Sequence, residues 1–129
     1  MRMRRIVEMV FYLGFSAFLI AGCKSALVLG GPADPDRLVD GVYQGNYKKG
    51  MNSALVEVTV RDRRIAEVRI LKHDAWKGKK AEPVIPLRIV EKQSTGVDAV
   101  SGATNSSNVI MNAVQNALEK SYALNQLSN

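Results

Sequence analysis

The chain has 129 residues, 47% of them hydrophobic and 23% charged, which leaves room for one ordinary core and excludes both a two-domain enzyme and wholesale disorder. Its single cysteine, Cys23, excludes an internal disulfide framework, a multi-cysteine zinc site and cysteine-ligated iron–sulfur clusters. The net charge of +6 falls to +4 once residues 1–22, with Arg2, Arg4, Arg5 and Glu8, are set aside; acids interleave with bases in the remainder, so no nucleic-acid partner is expected.

After the basic start, Met9 to Gly22 is an uncharged run of 14 residues. A membrane-spanning helix needs about 20, so the length suits the core of a signal peptide. Ile20-Ala21-Gly22-Cys23 resembles a bacterial lipobox. The resemblance implies cleavage before Cys23 and a diacylglyceryl anchor on its sulfur, giving an extracytoplasmic, membrane-anchored lipoprotein at the cell surface or in the outer membrane and periplasm. The alternative is an uncleaved anchor running through Lys24 to Leu29, with Lys24 as its weak point. Residues 1–22 are thus read as signal peptide and 23–36 as a lipid-anchored linker ending in the Gly- and Pro-rich Gly30 to Asp36. Residues 37–129 are read as the folded domain.

Within it, Asp40 to Gly45 reads as a turn leading into a short strand, with Gly45 marking a bulge or a close approach. Ala54, Val56, Val58 and Val60 alternate with Leu55, Glu57, Thr59 and Arg61, the period of a strand with one buried face. Ala66, Val68 and Ile70 alternate likewise, so the two strands are expected to pair as a hairpin across the glycine-free turn Arg61 to Arg64. Lys72 to Pro86 reads as a loop, and Leu87 to Gln93 as a short helix after Pro86. Ile110, Ala113, Val114, Ala117 and Leu118 form one apolar stripe, predicting a helix of three to four turns that packs on the sheet. The expected class is α+β: a small antiparallel sheet packed against a C-terminal helix.

Conventional catalytic constellations are not evident. His73 and Asp74 are adjacent and point opposite ways on an extended segment, no G-x-S-x-G elbow accompanies them, and nothing shows metal-ligand spacing; His73 reads as a polar loop residue. The informative stretch is Val97 to Ser107, which runs directly into the apolar helix. Thr104, Asn105 and Ser106 have side-chain oxygens suited to capping a first turn. The same place suits an anion, because free N–H groups and the positive end of the dipole favour a phosphate.

Asp98-Ala99-Val100-Ser101-Gly102-Ala103-Thr104 resembles the D-x-x-[ST]-G-A-T flavinylation motif of the FMN-binding domain family. That module occurs in flavoprotein subunits of Rnf-type and sodium-pumping quinone reductases and in flavin-carrying bacterial lipoproteins. The similarity extends from Asp40-Gly41-x-Tyr43-x-Gly45 through the hairpin to Glu91-Lys92-Gln93-Ser94 and the last helix. It implies that a flavin transferase, using FAD and Mg²⁺, joins FMN through its phosphate to the Thr104 hydroxyl. Asp98 carries over as a residue the transferase recognises, and Ser101 and Gly102 as close-approach backbone around the phosphate, while Gly102 and Ala103 are small enough to let a bulky group or an enzyme reach Thr104. Where larger members have a Glu-Thr-Pro-Gly stretch, this chain has His73 to Gly78. Trp76 is a candidate lid on the flavin ring, with core packing as its plainer role. Lys72, Lys77, Lys79 and Lys80 form a basic loop that would favour an anionic reduced flavin.

The expected function is that of an extracytoplasmic electron carrier serving membrane or extracellular redox partners. The alternatives are a flavin-dependent reductase or regulatory subunit, and a flavin-free lipoprotein that binds a partner.

Overall fold

The computed structural model describes residues 30–129. The expected signal segment and Cys23 lie outside the described residues. The architecture is the expected α+β. Strands β1 (Gly41–Lys49), β2 (Asn52–Arg61) and β3 (Arg64–Asp74) form an antiparallel sheet in the order β1-β2-β3. A 3-10 turn (Lys79–Ala81) and helix α1 (Ile85–Lys92) come next, followed by helix α2 (Thr104–Leu127).

The alternation in β2 does what its period requires. Val56, Val58 and Val60 are buried beneath α2, whose Val109, Ile110, Ala113, Val114 and Ala117 face them, while α1 sets Ile85 and Ile89 beside Ile65 and Val68 of β3. Gly45 is a close approach and not a bulge: a Cβ there would run into the Ala113 carbonyl and the Ala117 amide of α2. Helix α2 has 24 residues, well beyond the predicted three to four turns. Its buried face continues past the apolar stripe through Ser106 and Ser107 at one end and Ser121 at the other. Ser121 Oγ accepts from the Val39 amide at 2.8 Å and donates to the Val39 carbonyl at 3.1 Å, which satisfies a buried hydroxyl where a purely apolar stripe would end.

The β2–β3 turn forms without glycine. Asp62 and Arg63 both sit at positive φ, 54° and 57°, the type I′ arrangement whose twist suits a two-residue hairpin. Asp40 compensates for this strained backbone: its two carboxylate oxygens accept the Asp62 and Arg63 amides, each at 3.0 Å. The Arg63 amide first, and then the Asp62 amide, hold the Asp40 carboxyl below its ordinary range.

Two expectations about β3 are corrected. Register shifts at Thr59/Val60 and Leu55/Val56 insert extra residues, so Ile65 points inward and Ala66 outward, the reverse of the simple alternation. The strand also continues through Lys72 to Asp74, where the sequence predicts a loop. The second irregularity leaves Leu71 exposed and places His73 opposite Ala54 with its side chain buried.

The expected linker is also revised at its end. Pro32 bridges Ser94, the Ala33 amide donates to the Gln93 carbonyl at 2.9 Å, and the Thr95 amide donates to the Gly31 carbonyl at 3.0 Å. The Asp34 amide donates to the Tyr122 hydroxyl at 3.1 Å, and the Arg37 guanidinium lies 4.3 Å above the Tyr122 ring. Residues 30–36 therefore belong to the folded unit, because composition alone does not reveal which backbone groups find partners.

Candidate functional site

The sheet and α1 together bring the Asp98–Thr104 segment to the head of α2. Arg88 of α1 donates from Nη1 to the Asp98 carbonyl at 2.7 Å. Two residues further on, the Ala103 amide donates to the Val100 carbonyl at 2.9 Å, closing a turn with Ser101 and Gly102 at its centre. Gly102 has φ +77°, the positive value that the third position of a type II turn demands. The buried Ser107 fastens this turn to the helix: Oγ accepts from the Val100 amide at 3.0 Å and donates to the Ala103 carbonyl at 2.7 Å.

Helix α2 starts in a way that is unusual for its length. The residue at the N-cap is Ala103, which has no side-chain oxygen, and no acidic residue lies in the first turn. The capping expected from Thr104, Asn105 and Ser106 is not made. Both ordinary stabilisers of a helix start are therefore missing, and the amides of Thr104, Asn105 and Ser106 have no intrahelical acceptor. They open onto a cleft of about 500 Å³ lined by Asn52, Trp76, Gly78, Gly102 and Thr104. Ala103, Asn105, Ser106 and Lys77 complete the lining.

Thr104 is exposed at the first helical position, its hydroxyl free of hydrogen bonds among the described residues. Ser106 is only 2% exposed, lines the same cleft and likewise has a hydroxyl without a partner among the described residues. Gly78 brings the loop after β3 directly onto Ser106, where any Cβ would collide with the serine side chain. Lys80 reaches the turn itself; a Cβ on Gly102 would come 2.7 Å from its Nζ. An exposed hydroxyl, uncapped amides and a helix dipole thus converge on one small volume suited to a phosphate, with the Lys80 ammonium beside the Gly102 turn that borders it.

A family model of the FMN-binding domain matches residues 50–119, which is more than half of the chain and includes every residue that lines the cleft. The chain belongs to the FMN-binding domain family. FMN is accordingly the cofactor of this domain, and the residues present fit its phosphate end. The chain is also 34% identical over 92 residues to a protein of Treponema pallidum (strain Nichols) described as uncharacterised, a match covering 67% of this chain and 24% of that protein. The chain therefore spans about a quarter of the length of that relative. A crystal structure of a Clostridium perfringens protein superposes with a TM-score of 0.55 at 24% identity, covering 67% of this chain and 90% of that one, and shows a shared fold.

The structure distributes the residues singled out from the sequence unevenly. Thr104, Gly102, Ala103 and Trp76 share the cleft. Trp76, 83% exposed, is not a core residue. Asp98 and Ser101 are exposed and lie outside the lining, Asp98 contributing its main-chain carbonyl to the Arg88 contact. Of the four lysines, Lys77 lines the cleft and Lys80 reaches Gly102, whereas Lys72 pairs with Asp74 at 3.7 Å and Lys79 is exposed on the 3-10 turn. Asn52 and Gly78 join the cleft without any signal in the sequence. Each is remote in sequence from the motif, and only the β1–β2 turn and the β3 bulge carry them to it.

Proposed function

We propose that this FMN-binding domain carries FMN as a phosphoester on Thr104 and works as an extracytoplasmic electron carrier. The observation that supports this most is the uncapped head of α2, where the exposed Thr104 hydroxyl stands beside amides without intrahelical acceptors, in a cleft lined by Trp76 and by Gly102, which Lys80 approaches. In the maturation reaction a flavin transferase, with Mg²⁺, would join the Thr104 oxygen to the flavin-side phosphorus of FAD. The bond to AMP breaks, AMP departs, and the hydroxyl proton leaves to base. FMN, once attached, supplies reversible one- and two-electron chemistry.

The chain's own groups then have separate tasks. The amides of Thr104 to Ser106 and the Ser106 hydroxyl would hold phosphate oxygens, and Lys80 would balance their charge. Trp76 would present an aromatic face to the ring system. Asp98 stands outside the cleft and is exposed, a position suited to recognition by the transferase and not to contact with the bound flavin.

The lipobox-like Ile20 to Cys23 supports a place outside the cytoplasm, anchored through Cys23, with redox partners in or near the membrane. From Cys23 to Gly30 the chain can span at most about 25 Å, so an anchored domain stays close to the lipid surface. The test is co-production with a flavin transferase, followed by intact-mass measurement. An added mass of about 438 Da, FMN joined with loss of water, is expected. A colourless protein of unchanged mass would favour a flavin-free binding role.

A further inference from the structure

We propose that His73 and Glu82 form a clasp that positions the segment between them as one wall of the flavin cleft; this rests on the reading of the Thr104 cleft as the FMN site. His73 Nδ1 donates to Glu82 Oε1 at 2.8 Å, and the two residues are nine positions apart. Between them lie Trp76, Lys77 and Gly78, which line the cleft, and Lys80, which reaches Gly102. The hydrogen bond thus closes the base of a loop whose outer part meets the head of α2.

Three features separate this contact from an ordinary surface pair. The His73 side chain is 1% exposed, and it owes that burial to the β3 irregularity at Leu71, which re-aims the strand's next residues. Its Nε2 is buried without a partner among the described residues, a penalty that an apolar side chain at this place would avoid. Glu82, by contrast, is partly exposed and ends the 3-10 turn, in which the Ala81 and Glu82 amides donate to the Gly78 and Lys79 carbonyls. The buried imidazole leaves one nitrogen unmet while its other nitrogen ties the loop to Glu82. Gly78 then lets that fixed loop lie flat against Ser106.

His73 and Glu82 are accordingly positioning residues, acting on the site through the loop. The test compares the wild-type protein with His73→Phe, His73→Asn and Glu82→Ala. Asparagine presents its amide nitrogen near the place of Nδ1 and should restore the clasp, whereas phenylalanine fills the space and cannot donate. Glu82→Ala removes the acceptor without disturbing the buried ring, so it remains informative if a His73 variant folds poorly. In flavin-free protein, amide exchange at Ala81 and Glu82 should accelerate at least tenfold in His73→Phe and Glu82→Ala, with α2 amides unchanged and His73→Asn near wild type. In flavin-loaded protein, quenching of Trp76, the chain's sole tryptophan, should weaken in the same two variants. Unchanged exchange in both variants, or equal effects of Asn and Phe, would overturn the clasp. Accelerated exchange in a chain that never accepts flavin would uphold the clasp and defeat the flavin reading; full flavin loading with unaltered exchange and quenching would do the opposite.

Discussion

Replacing Gly102 by alanine separates the demands of the fold from those of the site. At φ +77° an L-residue carries a backbone penalty of about 1–2 kcal/mol. The new methyl would also approach Lys80 Nζ at 2.7 Å, but that is the far end of a flexible side chain, so the ammonium is displaced at little cost to stability. Gly50 supplies the matched control: it has φ +61° in the β1–β2 turn, and a Cβ there meets nothing within 4 Å. Both alanine variants should therefore lose about 1–2 kcal/mol in urea denaturation. For the 100 described residues this corresponds to a fall in melting temperature of roughly 4–8 °C per kcal/mol. Only Gly102→Ala should also impair flavin loading, because it alone shifts the turn before Thr104 and moves the Lys80 charge. In-gel flavin fluorescence after co-production with the transferase reads that second effect. Equal loss of loading in Gly50→Ala would show that loading tracks global stability, and would refute a phosphate site shaped by the turn.

A chain beginning at Arg37 should melt at least 5 °C below one beginning at Lys24, since it loses the Gly31 acceptor of the buried Thr95 amide, an unmet group worth about 1–3 kcal/mol; equal melting temperatures would return residues 30–36 to the status of a linker. Asp40→Ala should destabilise the protein at neutral pH by leaving the Asp62 and Arg63 amides without their acceptors. Because the folded Asp40 pKa lies below its unfolded value, that contribution is complete above about pH 4 and is lost as pH falls through the folded pKa, so wild type and variant should converge in acid. A gap between them that stays constant down to the acid limit would assign the loss to something other than the carboxylate.

Strand β2 and the middle of α2 are legible in the sequence because one face of each is packed and the side chains repeat with the right period. The ends of α2 are not, since Ser106, Ser107 and Ser121 continue the buried face with hydroxyls, two of which are satisfied on Ala103 and Val39. The β3 irregularities leave no periodic trace, so simple alternation puts Ile65 and Ala66 on the wrong faces and His73 in a loop. Thr104 stands out through an ordered motif, and Gly102 has a conformational reason to be in it. Asn52 and Gly78 have no such signal, because their place in the site depends on where a turn and a loop meet the head of a helix.

The most direct measurement is the site of flavin attachment in protein co-produced with the transferase. Trypsin should release Gln93 to Lys120 as one peptide, which holds Ser94, Thr95, Ser101, Thr104, Ser106, Ser107 and no other basic residue before its end. Fragment ions should place an added mass of about 438 Da on Thr104 alone, and Thr104→Val should fold, remain colourless and lack it. Flavin on any other hydroxyl, or a covalent adduct that survives Thr104→Val, would contradict attachment at the head of α2.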